Sequence, residues 1–504
     1  MGSGCNRRKR GREVGFVGLS THSCRRVYGE EIGWRAKVDP CFSVQPPSVA
    51  GSRAAVGRRY RRARALLPAL SMQERFESVP RGSVTTPEGF VAAGMSAGLK
   101  PSGAPDLAAV YSSEVVAAAA AGVFTQSQFA AAPVLWCREQ LERSSGRARA
   151  VLINAGQANA ATGDAGHRDA VMLSQRLAAL LRVPEEQVLV ASTGVIGRRI
   201  DCGRVEAALP QLTRALQDSS AGAARAEGGL QAARAMMTTD LVPKHTAATA
   251  TIQGRRVSVG VMAKGSGMIH PDMATLLAFV TTDAVVEPQQ WARYLRAAAD
   301  VSFNQITVDG DTSTNDTLIG FANGASGVSI PDDEQSEVHR TFQAMLTHGL
   351  QHAAKAIARD GEGATVLLEV RVQGTASDAE ARRLARTVAR SNLFKAAVYG
   401  RDPNWGRIAA ALGYSGVCLS PAAVDIALGP HVLMRSGQPV PFDARAASDY
   451  IQSAADAGRS PDTYLTEADT VSVDIRVGSG DGSGVAWGCD LSYDYVRINA
   501  EYTT

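Results

Sequence analysis

The chain has 504 residues, 45% of them hydrophobic and 20% charged, which are the proportions of a soluble globular protein large enough for two or more domains or one large layered one. No run of about 18 apolar residues occurs, so no membrane span is expected. The net charge of +4 hides an asymmetry. Residues 1–72 hold thirteen Arg and two Lys against Glu13, Glu30, Glu31 and Asp39, an excess of eleven positive charges, so the remainder carries −7 and nothing in it suggests a nucleic-acid partner.

Residues 1–72 contain clusters such as Arg7-Arg8-Lys9-Arg10 and Arg58-Arg59-Tyr60-Arg61-Arg62 with no hydrophobic periodicity around them. The composition is that of a disordered basic leader of the organelle-transit type. A nucleic-acid-binding arm and an upstream extension before Met72 are the other readings of the same segment. Seven cysteines, Cys5, Cys24, Cys41, Cys137, Cys202, Cys418 and Cys489, show no C-x-x-C pair and no disulfide spacing. The four beyond residue 72 read as small buried hydrophobes in a reducing compartment.

The globular part begins at Val79. Leu107–Tyr111 and Ala121–Thr125 predict short strands, and residues 127–141 predict a partial helix with Pro133 in or near its first turn. Residues 148–154 form a short apolar run, as a buried strand would. The segment 154–160 is dominated by small and amide residues, which let backbone approach backbone. An amphipathic helix is predicted over 165–182 and a buried strand over 188–191, followed by Ser192-Thr193-Gly194-Val195-Ile196-Gly197. Helices follow at about 202–217 and 229–237, with Ser219–Gly229 as a small-residue linker.

Residues 257–261 alternate as a strand and run into the turn Gly265-Ser266-Gly267; a second apolar run, 276–280, follows. Thr275 stands where that second strand begins, a position where threonine is ordinarily β-branched packing. Helices are predicted over 287–302, 335–359 and 377–395, a strand over 364–372, and a polar turn-rich stretch over 306–317. The last hundred residues read as short strands and turns. Gly478–Gly484 lacks the Lys-Ser/Thr of a phosphate loop and reads as a hairpin turn. His348 and His352 stand four apart on a helix without an H-E-x-x-H motif and read as a solvated face. The spacing of Asp309, Asp311 and Asp316 is not that of a calcium loop.

Residues 261–284, VMAKGSGMIHPDMATLLAFVTTDA, resemble the self-cleavage segment of the ornithine acetyltransferase family, the bifunctional glutamate N-acetyltransferases of arginine biosynthesis. The resemblance covers roughly residues 80–504. It implies cleavage between Ala274 and Thr275, giving an α chain, 73–274, and a β chain, 275–504, that form one catalytic unit assembled as an α2β2 heterotetramer. It implies a layered α/β/β/α sandwich resembling the N-terminal-nucleophile hydrolases. Asp272 stands where that family usually has Asn or Ser, and the Ser219–Gly229 linker is somewhat long.

The implied chemistry is consistent with the residue types. A threonine hydroxyl is a weak nucleophile without a base. Once N-terminal, Thr275 would have its own α-amine, of ordinary pKa near 7.7–8.0, as that base. Gly265, Gly267 and Pro271 suit a constrained turn before the bond to be cut. Acyl transfer also needs oxyanion donors. Thr193 and Gly194, in an S-T-G-V-I-G motif matching the family's, would supply them; the plain structural alternative is Thr193 as a helix N-cap. By the same resemblance Thr238, Lys264, Glu362, Asn499 and Thr504 join Thr275 in binding substrate. Lys264 suits a carboxylate and Glu362 an amino group.

The implied function is transfer of acetyl from N2-acetylornithine to glutamate through an acetyl-Thr275 intermediate, with acetyl-CoA as a second donor, no bound cofactor and no metal. The alternatives are a self-processing amidohydrolase or aminopeptidase and a non-catalytic, uncleaved homologue. Plastid stroma is the expected location, with the mitochondrial matrix as the alternative.

Overall fold

The computed structural model describes residues 75–270 and 276–501, all within one compact unit spanning Pro68–Thr504. The basic leader, Ala274, Thr275 and Thr504 therefore lie outside the described residues.

A seven-stranded sheet forms the middle of this unit. Its order is Glu77–Ser78, Lys244–Ile252, Arg255–Lys264, Leu277–Thr282, Thr317–Ala322, Ala118–Phe124 and Arg147–Ala148. Side chains alternate across a strand, so each strand of this sheet serves two cores. Leu277, Phe279, Ile319 and Phe321 enter one core, where they meet the four-stranded sheet Phe90–Met95, Leu107–Ser112, Ala150–Gln157 and Val188–Val195. Ala278, Val280 and Leu318 enter the other, against the helices Pro288–Asp300 and Glu337–Arg359. The far side of the four-stranded sheet is covered by the helices Gly163–Leu181, Cys202–Asp218 and Gly222–Ala235. The layers thus run helix, sheet, sheet, helix, as expected.

A third sheet extends from this sandwich. Its order is Gln438–Pro439, His431–Arg435, Asp425–Leu428, Thr470–Arg476, Leu367–Thr375 and Gly482–Cys489. It closes a separate core with the helices Asp378–Arg390, Asn392–Tyr399, Trp405–Gly413 and Ala444–Ala457. Leu367, Trp487 and Cys489 reach back into the core under Glu337–Arg359, which joins the two parts.

Four sequence expectations are corrected. The supposed linker Ser219–Gly229 is largely helix, Gly222–Ala235. Its glycines serve packing: a Cβ on Gly228 would stand 2.2 Å from the Ala92 carbonyl, and one on Gly229 would stand 2.1 Å from Ser83 Oγ. The helix expected over 377–395 is two helices, divided where Ser391 leaves helical geometry and its hydroxyl accepts from the Phe394 amide at 3.3 Å. The last hundred residues contain the helices Ala444–Ala457, capped by Asp443, and Tyr493–Glu501. Gly478–Gly484 is no hairpin turn. The strands on either side of it pair with opposite edges of Leu367–Thr375, so the glycines cross that strand's end, where a Cβ on Gly480 would stand 2.1 Å from the Thr375 carbonyl.

Candidate active site

The register of the seven-stranded sheet sets the frame. Leu277 pairs with Lys264 on its antiparallel neighbour and with Thr317 on its parallel neighbour. Lys264, the start of the strand that follows residue 275, and the end of the polar stretch 306–317 therefore meet in one row at the same end of three central strands.

Lys264 is buried, and its ammonium gathers two of the expected site residues. Nζ donates to Thr238 Oγ1 at 2.8 Å and to Thr193 Oγ1 at 3.4 Å. Thr193 and Gly194 close the strand Val188–Val195, and the next helix does not start until Cys202, with Asp201 as its cap. Thr193 is therefore no helix cap. Gly194 has φ +127° and pairs with Gly156, φ +122°, on the parallel strand. A Cβ on Gly194 would stand 2.3 Å from the Gly156 carbonyl carbon, so this close approach requires glycine.

Glu362 and Asn499 form a second pair, with Asn499 Nδ2 donating to Glu362 Oε2 at 2.8 Å. The turn Gly265-Ser266-Gly267 connects them to the Lys264 group. The Glu362 amide donates to the Ser266 carbonyl at 3.0 Å, and the Glu362 carboxyl lies where a Gly267 Cβ would be, at 2.5 Å. Thr193, Thr238, Lys264, Glu362 and Asn499 thus lie along one turn, whereas Ala274, Thr275 and Thr504 lie outside the described residues.

Four buried residues not singled out in the sequence hold this cluster. Lys244 Nζ donates to Asp240 Oδ1 at 2.7 Å and to Asp360 Oδ2 at 2.6 Å, with all three side chains almost fully buried. Asp240 Oδ1 also accepts from the Gly265 amide at 2.7 Å. Its Oδ2 accepts from the Thr238 amide at 2.9 Å and stands 3.9 Å from Lys264 Nζ. Ser266 Oγ donates to the Asp360 carbonyl at 2.7 Å. Burial pushes the Asp240 carboxyl up, but the Lys264 and Lys244 ammonium groups outweigh it and hold the carboxyl below the usual carboxylate range. Burial lowers the Lys264 ammonium, with Asp240 opposing. The only sequence signal for this network is the four-residue spacing of Asp240 and Lys244, which suggests a helix pair in a segment that is not helical.

The chain entering residues 271–275 is clamped from the polar stretch. Met268 adopts φ +56°, a conformation that disfavours residues with a Cβ. Its amide donates to Asp309 Oδ2 at 2.6 Å, and the Ile269 amide donates to Oδ1 at 2.9 Å. His270 Nδ1 lies 3.1 Å from Thr307 Oγ1, and Thr312 Oγ1 donates to the His270 carbonyl at 3.2 Å. Asp309 is thus engaged with backbone. Asn315 ties the same stretch to the strand Val188–Val195: its Nδ2 donates to the Ser192 and Ala158 carbonyls at 2.8 and 2.6 Å. Chemically, the cluster offers a buried cation with two hydroxyls for an anionic or carbonyl group, and a carboxylate for an amine.

A sequence model of the ArgJ family matches residues 91–504. The arginine biosynthesis bifunctional protein ArgJ of a Synechococcus species is 54% identical over 424 residues, covering 84% of this chain and 98% of the relative. A chloroplastic arginine biosynthesis bifunctional protein ArgJ of Sorghum bicolor is 52% identical over 424 residues, covering 84% and 87%. Among solved structures, the arginine biosynthesis bifunctional protein ArgJ of Bacillus halodurans is 42% identical, covering 44% of this chain and 98% of that one, with a TM-score of 0.40.

Proposed function

The chain belongs to the ArgJ family, and from that premise we infer that it is an acetyltransferase of arginine biosynthesis, moving acetyl from N-acetylornithine to glutamate. Acetyl-CoA serves as a second donor. The grouping of Thr193, Thr238 and Lys264 beside the strand that follows residue 275 is the observation that carries the reading.

The mechanism follows from the residue types. Cleavage at Ala274–Thr275 exposes the α-amine of Thr275, and the two chains, 73–274 and 275–504, stay together in an α2β2 assembly. The Thr275 hydroxyl attacks the acetyl carbonyl as the amine takes its proton, and the Thr193 hydroxyl and Gly194 amide stabilise the oxyanion. The amide C–N bond breaks, ornithine leaves with that proton, and acetyl remains on Thr275 Oγ. Glutamate then attacks the ester through its neutral amine; the acyl C–Oγ bond breaks, the proton the amine loses returns to Thr275 Oγ by way of the α-amine, and N-acetylglutamate leaves. Lys264 and Thr238 suit the carboxylate of the amino acid; Glu362, with Asn499 and Thr504, suits the remaining ammonium group. The chloroplastic relative and the basic leader support a plastid location.

The test is an assay of ornithine release from N-acetylornithine with and without glutamate. Release that depends on glutamate and yields N-acetylglutamate is expected. Release at the same rate into water would make the chain an amidohydrolase instead.

A further inference from the structure

The two amino acids of the proposed reaction differ in the charge of their side chains. Acetylated ornithine ends in an ammonium, whereas glutamate ends in a carboxylate. Acetyl leaves one α-nitrogen and arrives on the other at the same nucleophile, so the two α-carboxylates share a subsite and the two side chains run out from one place. Lys264 with Thr238 suits the shared α-carboxylate. Glu362 suits the ornithine ammonium but repels a second carboxylate. Glutamate therefore needs a further cation. Lys244 cannot serve, because its side chain is fully buried between Asp240 and Asp360.

Lys100 fits this need. It lies half-buried in the loop between the strands Phe90–Met95 and Leu107–Ser112. A buried carboxylate fixes that loop: Asp106 accepts from the Ala97, Leu99 and Lys100 amides at 2.6, 2.5 and 2.9 Å. The Asp106 carbonyl in turn accepts from the Ala155 amide at 2.8 Å. Both sides of the site touch the loop. On one side, Gln157 Nε2 donates to the Leu99 carbonyl at 3.1 Å. A Cβ on Gly156, the strand partner of Gly194, would stand 3.2 Å from the same carbonyl oxygen. On the other side, Lys100 Nζ donates at 3.4 Å to the carbonyl of Ala235, which ends the helix just before Thr238. The same ammonium donates to the Pro105 carbonyl at 2.5 Å. Among the described residues Lys100 makes no ion pair, so its charge is met only by backbone carbonyls. Burial lowers its ammonium, Asp106 and Asp240 oppose this, and Lys264 adds to the lowering, as expected of a cation at the rim of the Lys264 cluster.

We propose that Lys100 is a specificity-determining residue for the second half of the reaction, its ammonium receiving the side-chain carboxylate of glutamate. The inference rests on the acetyltransfer reading, since only that reading brings glutamate to the site. In the first half, the ornithine ammonium goes to Glu362 and Lys100 stays on its two carbonyls. In the second, Lys100 exchanges the longer of these bonds, the one to Ala235, for a charge-assisted bond to the carboxylate. No covalent bond changes at Lys100 and no proton passes through it. The plain structural alternative is that Lys100 only caps the helix Gly222–Ala235, whose last carbonyls favour a cation.

The test compares wild type with Lys100→Met, which keeps the apolar stem, and Lys100→Arg, which keeps the charge. In a ping-pong cycle kcat/KM for each substrate reports its own half of the reaction, and glutamine, with a neutral side chain, serves as a second acceptor. In Lys100→Met, kcat/KM for glutamate is expected to fall roughly 10–100-fold, the size of losing one charge-assisted contact, while that for N-acetylornithine changes less than about threefold. The preference for glutamate over glutamine falls by a similar factor, and Lys100→Arg retains most of it. That ratio is independent of how much of a variant folds. A lowered Tm with the glutamate preference unchanged would make Lys100 a helix cap and overturn the proposal. Equal losses with both substrates would place it on the shared α-carboxylate and likewise overturn it. Ornithine release from the wild type that does not depend on glutamate would sink the parent reading instead, a distinct result seen before any variant is made.

Discussion

At the scale of single residues, the site is a set of short polar side chains whose positions are dictated by a buried ionic network. Thr193 lies at the end of a strand, with its hydroxyl within reach of Lys264 Nζ and free of any capping duty. Thr193→Ala is expected to lower kcat about 10²–10³-fold with little change in fold, the size of losing one oxyanion donor; near-normal kcat in steady-state assays would remove it from the site. Asp240 is the hub, holding the Thr238 and Gly265 amides and facing both lysines. Asp240→Asn leaves two buried ammonium groups undercompensated and is expected to cost about 3–5 kcal/mol in urea unfolding, as broken buried pairs do. The sign with pH follows from the depressed folded pKa. The contribution is complete above the unfolded value near 3.9 and fades as pH falls through the folded one. The gap between wild type and variant should thus be widest near neutral pH and close at strongly acid pH.

At the scale of elements, the clamp on 268–270 is the feature that bears on the proposed cleavage. Asp309 holds a left-handed Met268 and its neighbour by two charged hydrogen bonds, a few residues before the bond expected to be cut. Asp309→Ala is expected to slow conversion of precursor to two chains, followed by gel or intact mass, while far-ultraviolet circular dichroism stays native. Conversion at the wild-type rate would deny this loop a part in cleavage. Most elements were legible in the sequence because their hydrophobic period is clean: 165–182, 257–261, 276–280 and 335–359 all fall on observed helices or strands. The failures have a common physical origin. Glycine at 228 and 229 permits close helix packing, not a turn, and glycine at 478–484 lets a loop cross a strand end. The helix Ala444–Ala457 is rich in small residues and buries Ile451, Ala454 and Ala455 in the third core.

At the scale of the whole molecule, the two-sheet sandwich was reached by resemblance, because alternating strands and helices alone do not select one layered fold. Of the third sheet, the strand Leu367–Thr375 and the helical stretch after it were legible as elements, but its separate core was not, since nothing in period or composition marks where one core ends and another begins. The Thr193–Thr238–Lys264 grouping was likewise invisible as geometry: it joins three elements far apart in sequence through Lys264. Among the described residues, all three large cores close on side chains from Phe76 onward. Protein expressed from residue 73 is therefore expected to fold and turn over as the full chain does, measured by Tm and by glutamate-dependent ornithine release; a marked loss of either would give the leader a structural role.

The central claim is a covalent acetyl-threonine at a self-generated amino terminus. Its most direct test is intact-mass and N-terminal analysis of the protein after incubation with N-acetylornithine in the absence of glutamate. The account predicts two chains, the second beginning at Thr275 and carrying one acetyl group that disappears when glutamate is added. A single uncut chain, or a second chain that never acquires acetyl while product forms, would contradict it.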